Sequence, residues 1–307
     1  MRTWIFAETE RKVRQMQTEL WYTDEHTRDV RFSMKTIEQI ASKKSAVQQI
    51  DILDTPAYGR VLVLDGGLMI TEKDEFIYHE MLAHVPMAVH PRVRNVLVIG
   101  GGDGGTVREL VKYRSIESID LVEVDNDVVL LSKKFLPFVS SKLKDRRVSV
   151  WFEEGLRYVR GKKDEYDLVI VDSSDPYGPA EGLFTREFYG TCFKALREDG
   201  ILINQHESPF YAAHQKSVRD AHRHIAMEFP VSTVYQAHIP SYPSGHWLFG
   251  FASKKYHPIG NLDEARWNKL RIPTRYYNTA LHRGAFALPN YVLDILKEEE
   301  PFRAYTT

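Results

Sequence analysis

One cysteine in 307 residues, Cys192, leaves no partner for an intrachain disulfide, so a disulfide-stapled secreted scaffold is excluded and a reducing compartment fits. It sits in Phe188-Tyr189-Gly190-Thr191-Cys192-Phe193, which reads as a core helix, and burial rather than nucleophilic chemistry is its expected lot. An excess of one charge is also missing. The 41 basic and 42 acidic residues leave a formal net charge of −1, so no overall field favours nucleic acid or an anionic membrane, and neither is expected as a partner. No apolar run approaches the roughly twenty residues of a membrane span. The N-terminal stretch carries Arg2, Arg11, Lys12 and Arg14 without a continuous apolar core, so no signal peptide is expected and the protein is expected in the cytoplasm. Repeats and low-complexity segments are lacking as well.

What is there is a strand followed by a glycine cluster, Val96-Leu97-Val98-Ile99-Gly100-Gly101-Gly102-Asp103-Gly104-Gly105-Thr106. The apolar run reads as a buried parallel strand turning into a helix, with glycines that let backbone approach a ligand. Asp103 sets this loop apart. A carboxylate inside a phosphate cradle repels a pyrophosphate, so the loop suits a cationic ligand better than a dinucleotide. Glu123, in Ser118-Ile119-Asp120-Leu121-Val122-Glu123-Val124-Asp125, falls about twenty residues later, where Rossmann-like folds place an acid on ribose hydroxyls. A turn acid is the bland alternative; together with the glycine loop, ribose recognition is favoured.

Residues 1–18 are charged and weakly periodic and read as an arm or surface helix. Residues 19–72 read as a small β domain, with strand-like runs at Leu20-Trp21-Tyr22, Val30 to Met34, Val47 to Leu53 and Arg60 to Leu64. About fifty residues of short strands cannot cover their own core, so this domain is expected to pack on the rest of the chain or on another copy, giving a homodimer or homotetramer. A helix is expected over Glu72 to His84, with Pro86 and Pro91 marking its exit. Residues 73–307, this helix included, read as a Rossmann-like catalytic domain. Its strands are predicted near 95–100, 118–124, 147–152, 166–172, 199–205, 231–238 and 246–253, with helices near 104–113, 126–135, 154–161, 185–197 and 212–228. The tail from 260 reads as helices covering an edge. Only Pro240-Ser241-Tyr242-Pro243-Ser244-Gly245 separates the last two strands, too short for a crossover, so they form an antiparallel pair. The expected class is α/β: a methyltransferase-like Rossmann sheet, mostly parallel with an antiparallel C-terminal hairpin, plus the small N-terminal β domain.

Ligands in such sheets bind at the carboxyl ends of the strands. There the sequence places Asp172-Ser173-Ser174-Asp175-Pro176, Glu207, Tyr242 and, on the preceding helix, Tyr78 and His79. Uncompensated carboxylates at one cleft repel one another unless a cation binds among them, and aromatic rings beside them pack a methylene stem or face a charged end. The pattern points to a nucleoside joined to a flexible organic polycation. A divalent metal is the rival, disfavoured because the acids are dispersed among aromatics.

The chain resembles the spermidine synthase (polyamine aminopropyltransferase) family, from Leu20-Trp21-Tyr22 to about Lys254. The motifs are Glu72 to Met81 (Glu-Lys-Asp-Glu-Phe-Ile-Tyr-His-Glu-Met), Gly100 to Gly105, Asp172 to Pro179, Leu183-Phe184-Thr185, Tyr242-Pro243-Ser244-Gly245 and Phe286-Ala287-Leu288-Pro289. The resemblance implies transfer of an aminopropyl group from decarboxylated S-adenosylmethionine to putrescine, giving spermidine and methylthioadenosine, with no cofactor or metal beyond the co-substrate. It implies Asp172 as general base, Asp175 steering the attacking amine, Asp103 on the aminopropyl ammonium and Glu123 on the ribose. Gln48 then reaches the nucleoside, Pro179 borders the adenine, and Tyr78, His79, Gln205, Glu207 and Tyr242 line the polyamine channel.

Two departures stand out. Glu154 precedes Gly155 where the family usually shows Asp-Gly or Asn-Gly reading the adenine amino group. Asn204-Gln205-His206-Glu207 leaves the acceptor open, with His206 placed near the distal amine, so agmatine, cadaverine or spermidine remain alternatives. A diamine N-methyltransferase and a silent polyamine-binding subunit are the rival readings; Asp103 opposes the first, since it repels the carboxylate of the intact methyl donor. His214, His222 and His224 are expected to be solvent-exposed rather than metal ligands.

Overall fold

The structure is a computed structural model that describes residues 18–173 and 178–297. The chain begins with β1 (Leu20–Thr27), β2 (Val30–Thr36), β3 (Glu38–Lys44), β4 (Gln49–Thr55), β5 (Gly59–Leu64) and β6 (Gly67–Thr71). Strands β1 and β2 form a hairpin sheet, and β3-β4-β5-β6 form an antiparallel sheet. Two of these strands were not among the strand-like runs. Strand β3 is short of apolar residues (Glu-Gln-Ile-Ala-Ser-Lys-Lys), as suits a sheet edge that must not recruit another strand. Strand β6 begins inside a turn signal, Asp65-Gly66-Gly67.

The larger unit runs through α1 (Glu75–Val89), β7 (Asn95–Gly100), α2 (Gly105–Leu110), β8 (Ser118–Glu123), α3 (Asn126–Phe135), α4 (Pro137–Ser140), β9 (Val148–Phe152), α5 (Gly155–Val159) and β10 (Tyr166–Asp172). A 3₁₀ turn (Gly178–Phe184), α6 (Arg186–Ala195), β11 (Leu196–Glu207), α7 (Ala212–Ala226), β12 (Val231–His238), β13 (His246–Ser253), α8 (Glu264–Lys269), α9 (Thr279–Ala285) and α10 (Asn290–Leu296) complete it. The sheet order is β12-β13-β11-β10-β7-β8-β9, parallel from β11 to β9, with β13 antiparallel to both neighbours. Chain order reverses between β7 and β10, and the crevice outside their carboxyl ends is where such sheets bind ligands.

Alternation builds the layers. Val96 and Val98 face α1, while Leu97 and Ile99 face the side where Phe188, Tyr189 and Cys192 of α6 are buried. Helix α1 runs one turn past the predicted exit, with Pro86 inside it. An internal proline costs a helix about 3 kcal/mol; here the whole stretch from Ile77 to Val89 is buried, and that apolar packing offsets the lost hydrogen bond. Among the described residues no helix is long and apolar enough to cross a membrane.

The small sheet finds its missing core within the chain. Ile50, Ile52, Leu62 and Ile70 pack on Val128 of α3 and on Leu136 and Val139 flanking and within α4. Ile52→Ala, at a fully buried position, is expected to cost about 2–5 kcal/mol through lost transfer energy and the cavity left behind; a chemical denaturation midpoint measures it.

Candidate active site

At the β7–β10 crevice the glycine loop is folded tightly. Gly100 and Gly101 have φ of 80° and 69°, and a side chain on Gly101 would place its Cβ 2.5 Å from Asp172 Oδ2. The absent side chains let the last residue of β10 lie against the loop. Asp172 is buried, and its Oδ2 accepts a hydrogen bond from Thr106 Oγ1 at 2.6 Å, with Tyr78 also hydrogen-bonded to the carboxyl. Burial, and then the charge of Asp103, raise its pKa; His79, Thr106 and Tyr78 act against that rise.

Asp103 accepts from the Gly105 amide at 2.8 Å, and the same oxygen lies 3.4 Å from His79 Nε2. Glu123, at the end of β8, accepts from the amides of Gly102 (3.1 Å) and Asp125 (2.9 Å). Burial lifts its pKa to about 7 against the pull of those two amides, with the Asp125 and Asp103 charges adding to the rise. Gln48, just before β4, donates to Asp125 Oδ2 at 3.1 Å and so brings the small sheet to the same cleft. Gln48, Tyr78, His79, Asp103, Glu123, Glu154, Gly155, Asp172 and Tyr242 line one continuous pocket. Asp175 lies outside the described residues, as does the side chain of Pro179.

A second cavity of about 470 Å³ shares Met69, Tyr78, Ser173 and Tyr242 with the first and continues past Gln205 to Asp24, His26, Asp65 and His214. Glu207 meets it through His214, whose Nδ1 lies 3.3 Å from Glu207 Oε1. The turn carrying Tyr242 is pinned to the start of α1: Asp74 accepts from the Ser241 amide at 2.8 Å and hydroxyl at 2.9 Å, while the Tyr242 hydroxyl donates to Met69 O at 2.7 Å.

His206 is turned away from this cavity, which corrects its placement near a distal amine. Successive side chains on a strand face opposite sides, and its Nδ1 accepts from Asn204 Nδ2 at 2.9 Å in the space left by Gly250. Burial, with the His222 charge, pulls its pKa down to about 3, so it stays neutral. The helix histidines are not solvent-exposed either. His214 is buried with its ring 4.7 Å from that of His26, His222 faces His206 at 6.2 Å, and His224 donates to Phe184 O at 2.9 Å. Cys192 is fully buried on α6, and burial pushes its thiol well up. Sequence reading missed Asp24, His26, Asp65, Thr106 and Trp247. Asp24 and Gln205 share a cavity across most of the chain, and no local pattern marks such a pair.

The crevice at the carboxyl ends of β7 and β10, with its buried acids, is the ligand site of a Rossmann-type sheet. Residues 75–263 match the spermine/spermidine synthase domain, and residues 20–72 match the spermidine synthase tetramerisation domain, which supports self-association. The polyamine aminopropyltransferase of Lachnoclostridium phytofermentans is 69% identical over 282 residues, covering 92% of this chain and 100% of that protein. That of Alkaliphilus oremlandii is 61% identical, covering 92% and 99%. Among solved structures, a spermidine synthase in complex with the transition-state analogue AdoDATO superposes with a TM-score of 0.89 at 44% identity, covering 92% and 96%. The spermidine synthase of Thermotoga maritima gives 0.86 at 43%, covering 92% and 95%. The chain belongs to the spermine/spermidine synthase family, and it is an enzyme of the polyamine aminopropyltransferase class.

Proposed function

We propose that the protein transfers the aminopropyl group of decarboxylated S-adenosylmethionine to putrescine, giving spermidine and 5'-methylthioadenosine. One observation carries this reading: Asp103, Glu123 and Asp172, from three different strand ends, converge on a pocket that shares Met69, Tyr78, Ser173 and Tyr242 with a second cavity. In the reaction the acceptor nitrogen bonds the aminopropyl carbon while the carbon–sulfur bond breaks and its electron pair returns to sulfur. The sulfonium is already a good leaving group, so the protein supplies alignment and a proton acceptor. Asp172 takes that proton, and its raised affinity for protons suits the task. Asp175 steers the amine, Asp103 holds the aminopropyl ammonium, and Glu123 accepts the ribose hydroxyls. Gln48 and Pro179 border the nucleoside, Glu154 beside Gly155 reaches the adenine amino group, and Tyr78, His79, Gln205, Glu207 and Tyr242 line the amine path. The co-substrate is the only nucleoside required, and the enzyme works as a cytoplasmic homodimer or homotetramer.

Incubation with decarboxylated S-adenosylmethionine and a panel of putrescine, cadaverine, agmatine and spermidine, with products identified by mass, tests the assignment. Spermidine from putrescine as the fastest product supports it; preference for another acceptor transfers the reading to that amine.

Nucleoside binding carries its own pH signature. Glu123 is raised to about 7, so its protonated fraction grows as pH falls below that value, and a protonated carboxyl no longer accepts both diol hydrogens. Methylthioadenosine affinity is expected to weaken from pH 8 to pH 6, approaching about tenfold per unit at the acid end. Titration calorimetry reads this, and Glu123→Gln should bind weakly with a flat profile.

A further inference from the structure

His79 is the only cationic-capable side chain lining the first pocket among the described residues, and it is completely buried. Its Nδ1 lies 2.6 Å from Glu75 Oε2, one helical turn back on α1. Glu75 is itself gripped by a two-pronged guanidinium, with Arg108 Nη1 donating to Oε1 at 2.7 Å and Nη2 to Oε2 at 2.9 Å. Such bidentate pairs fix orientation as well as charge. The far ring nitrogen, Nε2, has no hydrogen-bond partner and faces Asp103 at 3.4 Å. Gly105 makes room for the ring, since a Cβ there would overlap it.

We infer that Glu75, clamped by Arg108, is the positioning residue that holds His79 as a resident cation beside Asp103, and that this cation keeps Asp172 ionised to receive the amine's proton. The second half rests on the reading of Asp172 as the base. The groups that face the imidazole are Glu75 and Tyr78 from α1, Asp103 from the glycine loop and Asp172 from β10, with Arg108 of α2 behind Glu75. Burial alone favours the neutral ring, but the Asp103 charge, the bond to Glu75 and the charges of Glu75 and Asp172 outweigh it and carry His79 to about 9. Two buried carboxylates in one pocket otherwise share protons, because neither is solvated enough to ionise beside the other. A positive ring between helix and loop removes that conflict before substrate arrives.

The test is Glu75→Gln, in which Arg108 keeps Glu109 and the Phe138 carbonyl as partners. The His79 imidazole is followed by ¹⁵N NMR in the full-length enzyme without substrates, assigned by the signal missing in His79→Gln. Titration near 9 in the parent, falling by about one unit or more in Glu75→Gln, supports the inference. In His79→Gln, which carries no cation at any pH, the acid limb of the kcat/KM profile should move up by about one pH unit, because Asp172 without the cation holds its proton to higher pH. Arg108→Lys keeps the charge but loses the fork, and should lower the His79 titration by less than Glu75→Gln does. A parent His79 that titrates at or below the ordinary 6.5, as a neutral ring accepting at Nε2 would, overturns the inference. So does an unchanged titration in either folded variant, or a uniform loss of kcat in His79→Gln with the limb unmoved. If no aminopropyl transfer is detected at any pH, the reading of Asp172 fails instead, and the histidine titration still decides the role of Glu75.

Discussion

Asp172→Asn is expected to lower kcat for aminopropyl transfer by about 10³-fold, within the span general base catalysis contributes, while methylthioadenosine binding should stay within about threefold of the parent. The asymmetry follows from what Asp172 touches. Its Oδ2 accepts from Thr106, a bond the Asn oxygen can keep, and its carboxyl is hydrogen-bonded to Tyr78, which lines both cavities, whereas Glu123 is the acid assigned to the ribose. An amide is nearly the same shape but takes up no proton at neutral pH, so alignment survives and the proton has nowhere to go. Steady-state rates and calorimetry on the same preparation separate the two. Near-normal turnover would remove Asp172 from the role of base.

On the proposed function, Asp103→Asn is expected to narrow the preference for the decarboxylated donor over intact S-adenosylmethionine by about 10²-fold or more. Two effects act in the same direction. A hydrogen bond to a charged group is worth about 1.5–3 kcal/mol, roughly ten- to a hundredfold in affinity, and the decarboxylated donor loses it. The intact donor carries a carboxylate that Asp103 repels, and it gains by the removal. Asp103 is buried, so solvent screens neither effect well. Competitive inhibition by intact S-adenosylmethionine, measured in parent and variant, checks this. An unchanged discrimination ratio would place donor selection on other residues.

Much of the sheet was legible because its signals are local. Val96 to Ile99 alternate between two buried faces, and a run of that kind has few other solutions than a central strand. The short Pro240–Gly245 link forces an antiparallel pair, and the sheet obeys. Where the reading missed, long-range packing had overruled a local rule. Pro86 stays helical because apolar burial offsets its cost, and polar β3 forms a strand because β4 offers it a ladder. His206 was misplaced because its side chain leaves the cavity: Gln205 lines it, while His206 bonds Asn204 beside Gly250, where the ladder register shifts between Gln205 and Glu207.

The site divides along the same line. Sequence alone determined the residue types and their spacing: an acid in a glycine loop, an acid about twenty residues on, an acid closing the apolar run Leu168 to Val171. Those follow from chemistry within a few residues, and chain order suffices to read it. Only the tertiary structure decided which acids share a pocket, that Asp24 and His26 of the first strand reach the cavity of Gln205, and that Arg108 grips Glu75 behind His79. Such juxtapositions depend on how sheets and helices dock, and docking is set by burial of whole faces, to which no single residue's neighbours in the chain bear witness.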